Sequence, residues 1–252
     1  MNILRPTWEE FAWAIFYNGV IGKDITGESD YLNLMRRTRF LQALRTKPNS
    51  LQVNEIQGII IKGFLNRWRC RVENNRNSAN SIQRTLQNLV PYLRTLNNLS
   101  IQSIQFNNPV IASNNNTTIG QVIEHCYTQV RNIGHNFGPT ATSKLLHILQ
   151  PNLIVMWDNA ILKRYRNINR QISDSGRGYV AYLQTMKRLA NDINANFQNS
   201  ILTPPAQPGQ GPADYLNARM GYNPPKTMAR YLDEYNWVTI TYGLQGPPAW
   251  HP

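Results

Sequence analysis

Residues 133–165 read IGHNFGPTATSKLLHILQPNLIVMWDNAILKRY, and this stretch decides the fold. Apolar residues recur at helical spacing on both sides of the turn Gly134-His135-Asn136-Phe137-Gly138, which therefore joins two helices tightly. Glycines there permit positive φ and leave backbone N–H groups uncovered. Pro139 suits the first helical position, because it lacks the amide hydrogen that would be orphaned anyway. Free amides at the start of that helix form an anion site suited to a DNA phosphate. A loop over residues 150–157 follows, with an apolar approach (Leu153-Ile154-Val155-Met156-Trp157) to Asp158 at the start of a further helix.

Outward from this stretch the pattern is helical almost throughout, so a mainly-α fold is expected. Thr7 with Glu10, and Thr118 with Gln121, read as capping boxes. The first opens a helix that stops near Asn18-Gly19. A second helix carries Leu32, Met35, Phe40 and Leu44, a third Ile56, Ile60, Phe64 and Leu65, and a fourth runs from Ser78 to about Leu96. Residues 106–116 read as an Asn-rich loop, and residues 237–242 as one short strand. A long helix follows Gly178. Residues 203–212 form a Pro/Gly/Gln linker, so the expected organisation is a helical domain over 1–202, with its hairpin at 122–149 and a loop carrying the chemistry at 150–165. A small C-terminal helical segment then occupies 203–252, with a loose end at 246–252.

The chain has 252 residues, enough to bury a real core, and only 16% of them are charged, which excludes a highly charged disordered polymer. No apolar run approaches the roughly 20 residues of a bilayer span, and Met1-Asn2-Ile3-Leu4-Arg5-Pro6 lacks the apolar run of a signal peptide. A cytoplasmic protein with no membrane partner is expected. Two cysteines, Cys70 and Cys126, make neither a disulfide framework nor a four-thiolate metal or iron–sulfur site, and four scattered histidines offer no metal-ligand spacing. No metal or cofactor is expected. The net charge of +12 comes from 19 Arg and 7 Lys against 14 Asp+Glu. Arg grips phosphate bidentately and stacks on bases, so this balance favours a nucleic-acid partner over a basic surface kept only for solubility.

The stretch resembles the helix-hairpin-helix DNA glycosylases, the superfamily of endonuclease III and the adenine glycosylases. There a hairpin glycine is followed twenty residues later by a catalytic Asp at a helix N-terminus, the spacing from Gly138 to Asp158 here. The resemblance covers about forty residues, including the basic-apolar run Ile161-Leu162-Lys163-Arg164-Tyr165. It implies a two-lobed helical fold and a monomer that grips double-stranded DNA through Gly134, His135, Asn136, Gly138 and Thr140. Such an enzyme flips a damaged, mispaired or modified base and cleaves its N-glycosidic bond with Asp158. Thr140 stands where bifunctional relatives place a Schiff-base lysine, so lyase activity is not expected; Lys144, one helical turn on, is the second-choice nucleophile.

Asp158 also makes sense without the family. An N-cap Asp accepts backbone N–H bonds at the positive end of its helix. Glycosidic cleavage passes through an oxocarbenium-like state, which a fixed carboxylate stabilises more than the neutral ground state. An ordinary helix cap has the same local signature. Asn159, beside it, suits holding a water or the extruded base, and Trp157 suits a base pocket. Arg67-Trp68-Arg69 interleaves cations with an aromatic ring, fitting phosphate contact or stacking, although Trp68 lies four residues after Phe64 and reads equally as core. His147, within an apolar helix, reads as a satisfied core histidine. A non-catalytic helix-hairpin-helix DNA-binding protein is the alternative reading.

Overall fold

Short-range capping chemistry sets where most elements begin. In a computed structural model, which describes residues 3–25, 28–200 and 209–244, the Thr7 hydroxyl accepts the Glu10 amide (3.2 Å) and Glu10 accepts the Thr7 amide (3.0 Å). This box opens α1 (Trp8–Ile25). The helix does not stop at Asn18-Gly19. A Cβ at Gly19 would collide with the Met220 methyl, so the glycine marks close packing inside a continuing helix. The expected second helix is two, α2 (Glu28–Met35) and α3 (Thr38–Thr46), broken at Arg37 (ψ 54°). α4 (Val53–Glu55) passes into π-helical turns over Ile56–Leu65, and Asn75 caps α5 (Arg76–Thr95).

The Asn-rich stretch is a hairpin, not a loop: β1 (Pro109–Ala112) and β2 (Asn115–Thr118) pair antiparallel, Val110 opposite Thr117. Ser113 (φ 49°) and Asn114 (φ 65°) make its turn, the left-handed pair that a two-residue hairpin needs. Thr118 and Gln121 then cap α6 (Ile119–Arg131) as expected. α7 (Pro139–Leu149), α8 (Asn159–Ile168) and α9 (Gly176–Gln198) follow, and α6 packs against α5, α7 and α9.

α10 (Pro212–Met220) and α11 (Met228–Asn236) complete the fold. Every residue of α11 is buried; Tyr235 packs on Phe11 of α1 and Asn236 accepts the Tyr165 hydroxyl (2.8 Å). The C-terminal segment thus shares the main core. Its end, Trp237–Thr241, is π-helical rather than a strand, because the wide turns carry on directly from α11. Most of the expected 203–212 linker and all of the expected loose end at 246–252 lie outside the described residues. No described helix is long and apolar enough to cross a membrane.

Between α7 and α8 the chain crosses the core without helix or strand partners. Four consecutive carbonyls there are met by side chains: Ile154 by His147 Nδ1 (2.6 Å), Val155 by the Tyr179 hydroxyl (2.7 Å), Met156 by the Tyr182 hydroxyl (3.0 Å) and Trp157 by Ser143 Oγ (3.1 Å). A carbonyl only accepts, so His147 carries its hydrogen on Nδ1, and Nε2 accepts from Tyr31 (3.0 Å). The core-histidine reading holds: His147 is wholly buried with both nitrogens engaged. Burial lowers its pKa to about 3, the bond to Ile154 acting the other way.

The unfolded histidine titrates near 6.5, so below that pH the unfolded chain gains a proton that the fold refuses. Stability should fall between about pH 6.5 and 3, by about 1.4 kcal/mol per pH unit from this residue. Urea unfolding from pH 7 to 4 measures it, and His147→Gln, which has no proton to gain, should show a shallower slope.

Candidate functional site

Asp158 caps α8 with one oxygen and reaches the C-terminal segment with the other. Oδ1 accepts the Ile161 amide (2.9 Å) and Oδ2 the Thr241 hydroxyl (2.7 Å). The half-buried carboxylate lines a cleft of about 460 Å³. One wall is the start of α7 and α8 (Thr140, Lys144, Asp158, Asn159); the facing wall is α11 and the π-helical turn after it (Arg230, Asp233, Glu234, Thr241).

The turn at residues 66–72 edges this cleft. Asn66 closes it by donating to the Val72 carbonyl and accepting the Val72 amide, both at 2.8 Å. Arg69 (φ 59°) and Arg71 (φ 55°) sit in the left-handed region, which costs about 1–3 kcal/mol each and needs such a clamp. Arg67 and Arg69 are exposed beside the opening, whereas Trp68 turns inward against Phe64 (5.2 Å). Lys144 Nζ lies 4.7 Å from the Trp68 ring centre and donates to the Trp68 carbonyl (3.1 Å). Burial lowers the Lys144 pKa, with Cys70 and two Asp carboxylates, 233 and 158, acting in the opposite direction.

Beneath the facing wall lies a buried ionic cluster. Arg230 contacts Asp233, Glu28 (2.5 Å) and Glu234 (3.1 Å), and Lys226 contacts Glu28 (2.8 Å) and Glu234 (2.7 Å). Burial pushes Asp233 up to about 7, while Arg230 and Lys144 favour its charged form. The direct ion pair with Arg230 works against that burial. Sequence reading missed this wall. The 230/233/234 spacing signals helical ion pairs, but only the fold shows that they are buried at a cleft.

The turn before α7 forms a separate depression of about 320 Å³, lined by Arg131 and residues 134–138. Positive φ falls on Gly134 (82°), His135 (54°) and Asn136 (62°), not on Gly138 (φ −82°), whose extended backbone any residue adopts. Gly138 makes no side-chain cap for α7. His135 faces Glu73 (3.2 Å) and Ser81 (3.4 Å). Thr140 borders the Asp158 cleft rather than this depression. Trp157 lines the cleft at 1% exposure, donates its indole N–H to the Pro139 carbonyl (3.2 Å) and packs among Tyr127, Tyr179 and Tyr182. Its ring is anchored there by these contacts. Asn159 is exposed at the cleft. Among the described residues no His, Cys, Asp and Glu group is arranged to hold a metal.

Compared with known proteins, the chain matches no family model, no curated protein and no solved structure. The site therefore has to be read from its own geometry.

Replacing Arg230 by Met removes one cation from among Glu28, Asp233 and Glu234, leaving buried carboxylates undercompensated. The loss should be about 3–5 kcal/mol, read from urea denaturation curves.

Proposed function

We propose that the chain is a DNA glycosylase that draws a damaged, mispaired or modified base out of the duplex and hydrolyses its N-glycosidic bond. The observation that carries this reading is the placement of Asp158: a carboxylate held by two hydrogen bonds on the wall of a cleft edged by exposed Arg67 and Arg69. The outer face of α8 adds exposed Lys163, Arg164 and Arg166 directly after Asp158, cations suited to phosphates flanking an extruded nucleotide. The turn at 134–138, with the uncapped start of α7, supplies a second phosphate grip in this reading, as the hairpin of a helix-hairpin-helix protein does.

In the chemical step the bond between C1′ and the base nitrogen breaks, and its electron pair leaves with the base. The Asp158 carboxylate faces the positive charge that develops on the sugar, and the pair of bonds from Ile161 and Thr241 fixes it there before reaction. Water adds to C1′, and its proton is released to the carboxylate or to solvent, while the departing base takes up a proton. Lys144 spends its amine on the Trp68 carbonyl, which supports direct hydrolysis over a lysine-linked intermediate. A purely binding helix-hairpin-helix protein needs no open cleft beside Asp158, so the enzyme is the better fit. The cleft suits base excision repair and attack on modified foreign DNA alike.

Asp158→Asn keeps a good N-cap while removing the charge. Base release, measured by alkaline cleavage of duplexes carrying a panel of modified or mispaired bases, should drop by about 10²-fold or more. DNA affinity by anisotropy should stay nearly unchanged. Wild-type rates in that variant overturn the mechanism.

A further inference from the structure

Asp233 differs from the rest of the buried ionic cluster in its place and in its partners. It lines the cleft on the wall facing Asp158, with 9% of its side chain exposed. Oδ2 accepts from Arg230, while Oδ1 takes no hydrogen bond among the described residues and is not among the oxygens sealed from solvent. The charges around it do not balance. Two cations, Lys226 and Arg230, face three carboxylates, Glu28, Asp233 and Glu234. Glu28 and Glu234 each touch both cations, whereas Asp233 touches Arg230 alone. Lys144 from α7 and Asp158 from the start of α8 also act on Asp233, one charge of each sign, so an excess negative charge remains. Tyr31, Tyr179 and Tyr182, the titratable groups of α2 and α9 near it, are kept neutral by burial. A buried carboxylate without its own cation is relieved by taking up a proton, and Asp233 has the fewest cations. Burial accordingly pushes it up to about 7. Glu234 is also pushed up, but its Oε2 is sealed from solvent, so of the two only Asp233 can pass a proton into the cleft.

Resting on the glycosylase reading, we propose that Asp233 is the general acid that protonates the departing base from the wall opposite Asp158. In the protonated carboxyl the carbonyl oxygen, Oδ2, keeps the bond from Arg230, and the Oδ1 hydroxyl faces the cleft as a donor. Asp158 accepts two hydrogen bonds and so takes the ionised part. As the bond from C1′ to the base nitrogen breaks, its electron pair leaves with the base, and a ring nitrogen takes the Asp233 proton. Water adds to C1′ and gives its proton to Asp158 or to solvent, and Asp233 regains a proton from solvent. Two carboxyl groups whose surroundings hold them in different protonation states thus divide the acid from the charge-stabilising role. A base expelled as an anion leaves poorly, and a placed proton donor contributes about 10²–10⁴-fold.

Asp233→Asn in the full chain keeps an acceptor for Arg230 but has no acidic proton, and it leaves two cations facing two carboxylates. Tm should therefore stay unchanged or rise. Single-turnover base release, from the modified-base or mispaired duplexes that the wild type cleaves, should fall about 10²-fold or more. The wild-type rate should drop about ten-fold per pH unit above about pH 7, and the variant's rate should lose that dependence. Infrared difference spectra of wild type against variant read the proton without catalysis. At pH 6 they should show a protonated carboxyl band that gives way to carboxylate bands at pH 9. A purely structural partner of Arg230 would instead lower Tm on substitution with base release nearly unchanged, which overturns the proposal. So does a wild-type rate that is flat from pH 6 to 9, or a carboxylate already ionised at pH 6. A resident proton with no base release from any duplex supports the donor and overturns the glycosylase reading. Base release at the wild-type rate by Asp233→Asn does the reverse.

Discussion

The fold turns on an awkward demand: an extended backbone must cross the core with no neighbouring strand. Peptide carbonyls in such a run cannot be left bare, since each unpaired buried group costs about 1–3 kcal/mol. The protein answers from both sides. α7 contributes His147 and Ser143, and α9 contributes Tyr179 and Tyr182, one donor to each carbonyl from Ile154 to Trp157. This explains why a histidine with a strongly depressed pKa is tolerated in an apolar helix, and why two buried tyrosines face one segment. The same bonds hold the backbone of Asp158 in place, because that residue comes next in the chain.

The second organising feature is charge taken out of water. Lys226 and Arg230 meet Glu28, Asp233 and Glu234 in a cluster that ties α2 and the loop before α11 to α11 itself. Apolar residues of the same volume would in general hold such elements together as well or better. The ionic version leaves one wall of the cleft polar, with Arg230 5.0 Å from the centre of the Trp68 ring that Lys144 also faces. Polarity that brings little stability, placed beside the carboxylate of Asp158, is understandable where a polar ligand has to be received.

How much of this was legible depends on the range of each interaction. The boxes at Thr7/Glu10 and Thr118/Gln121, Pro139 at its helix start and the Asp158 cap all close within three or four residues, and each stands where local chemistry put it. Gly19 misled because its reason is Met220, two hundred residues away. The hairpin at 109–118 was hidden by a Ser-Asn turn in place of the usual Asn-Gly. α11 reads as an ordinary amphipathic helix; nothing local reveals that its charged face is turned inward against Glu28 and Lys226. The bond from the Trp157 indole N–H to the Pro139 carbonyl was likewise out of sight, since it joins residues eighteen apart.

The twenty-residue interval from Gly138 to Asp158 has a physical origin of its own. α7 has eleven residues and so runs about 16 Å away from the Gly138 end. Gln150 then reverses the chain, its carbonyl accepting from Leu153 (3.1 Å) and Ile154 (3.0 Å). Residues 154–158, extended at about 3.3 Å each, cover the same distance in return. The Ser143 bonds to Trp157 and the Trp157 bond to Pro139 show that the return closes beside the first turns of α7. An outward helix and an extended return of equal length bring Asp158 back to the start of α7, where Thr140 and Asp158 line one cleft. Lengthening α7 by a turn without lengthening the return would leave the carboxylate short of that cleft. The spacing is thus a geometric condition on the site, independent of any family likeness.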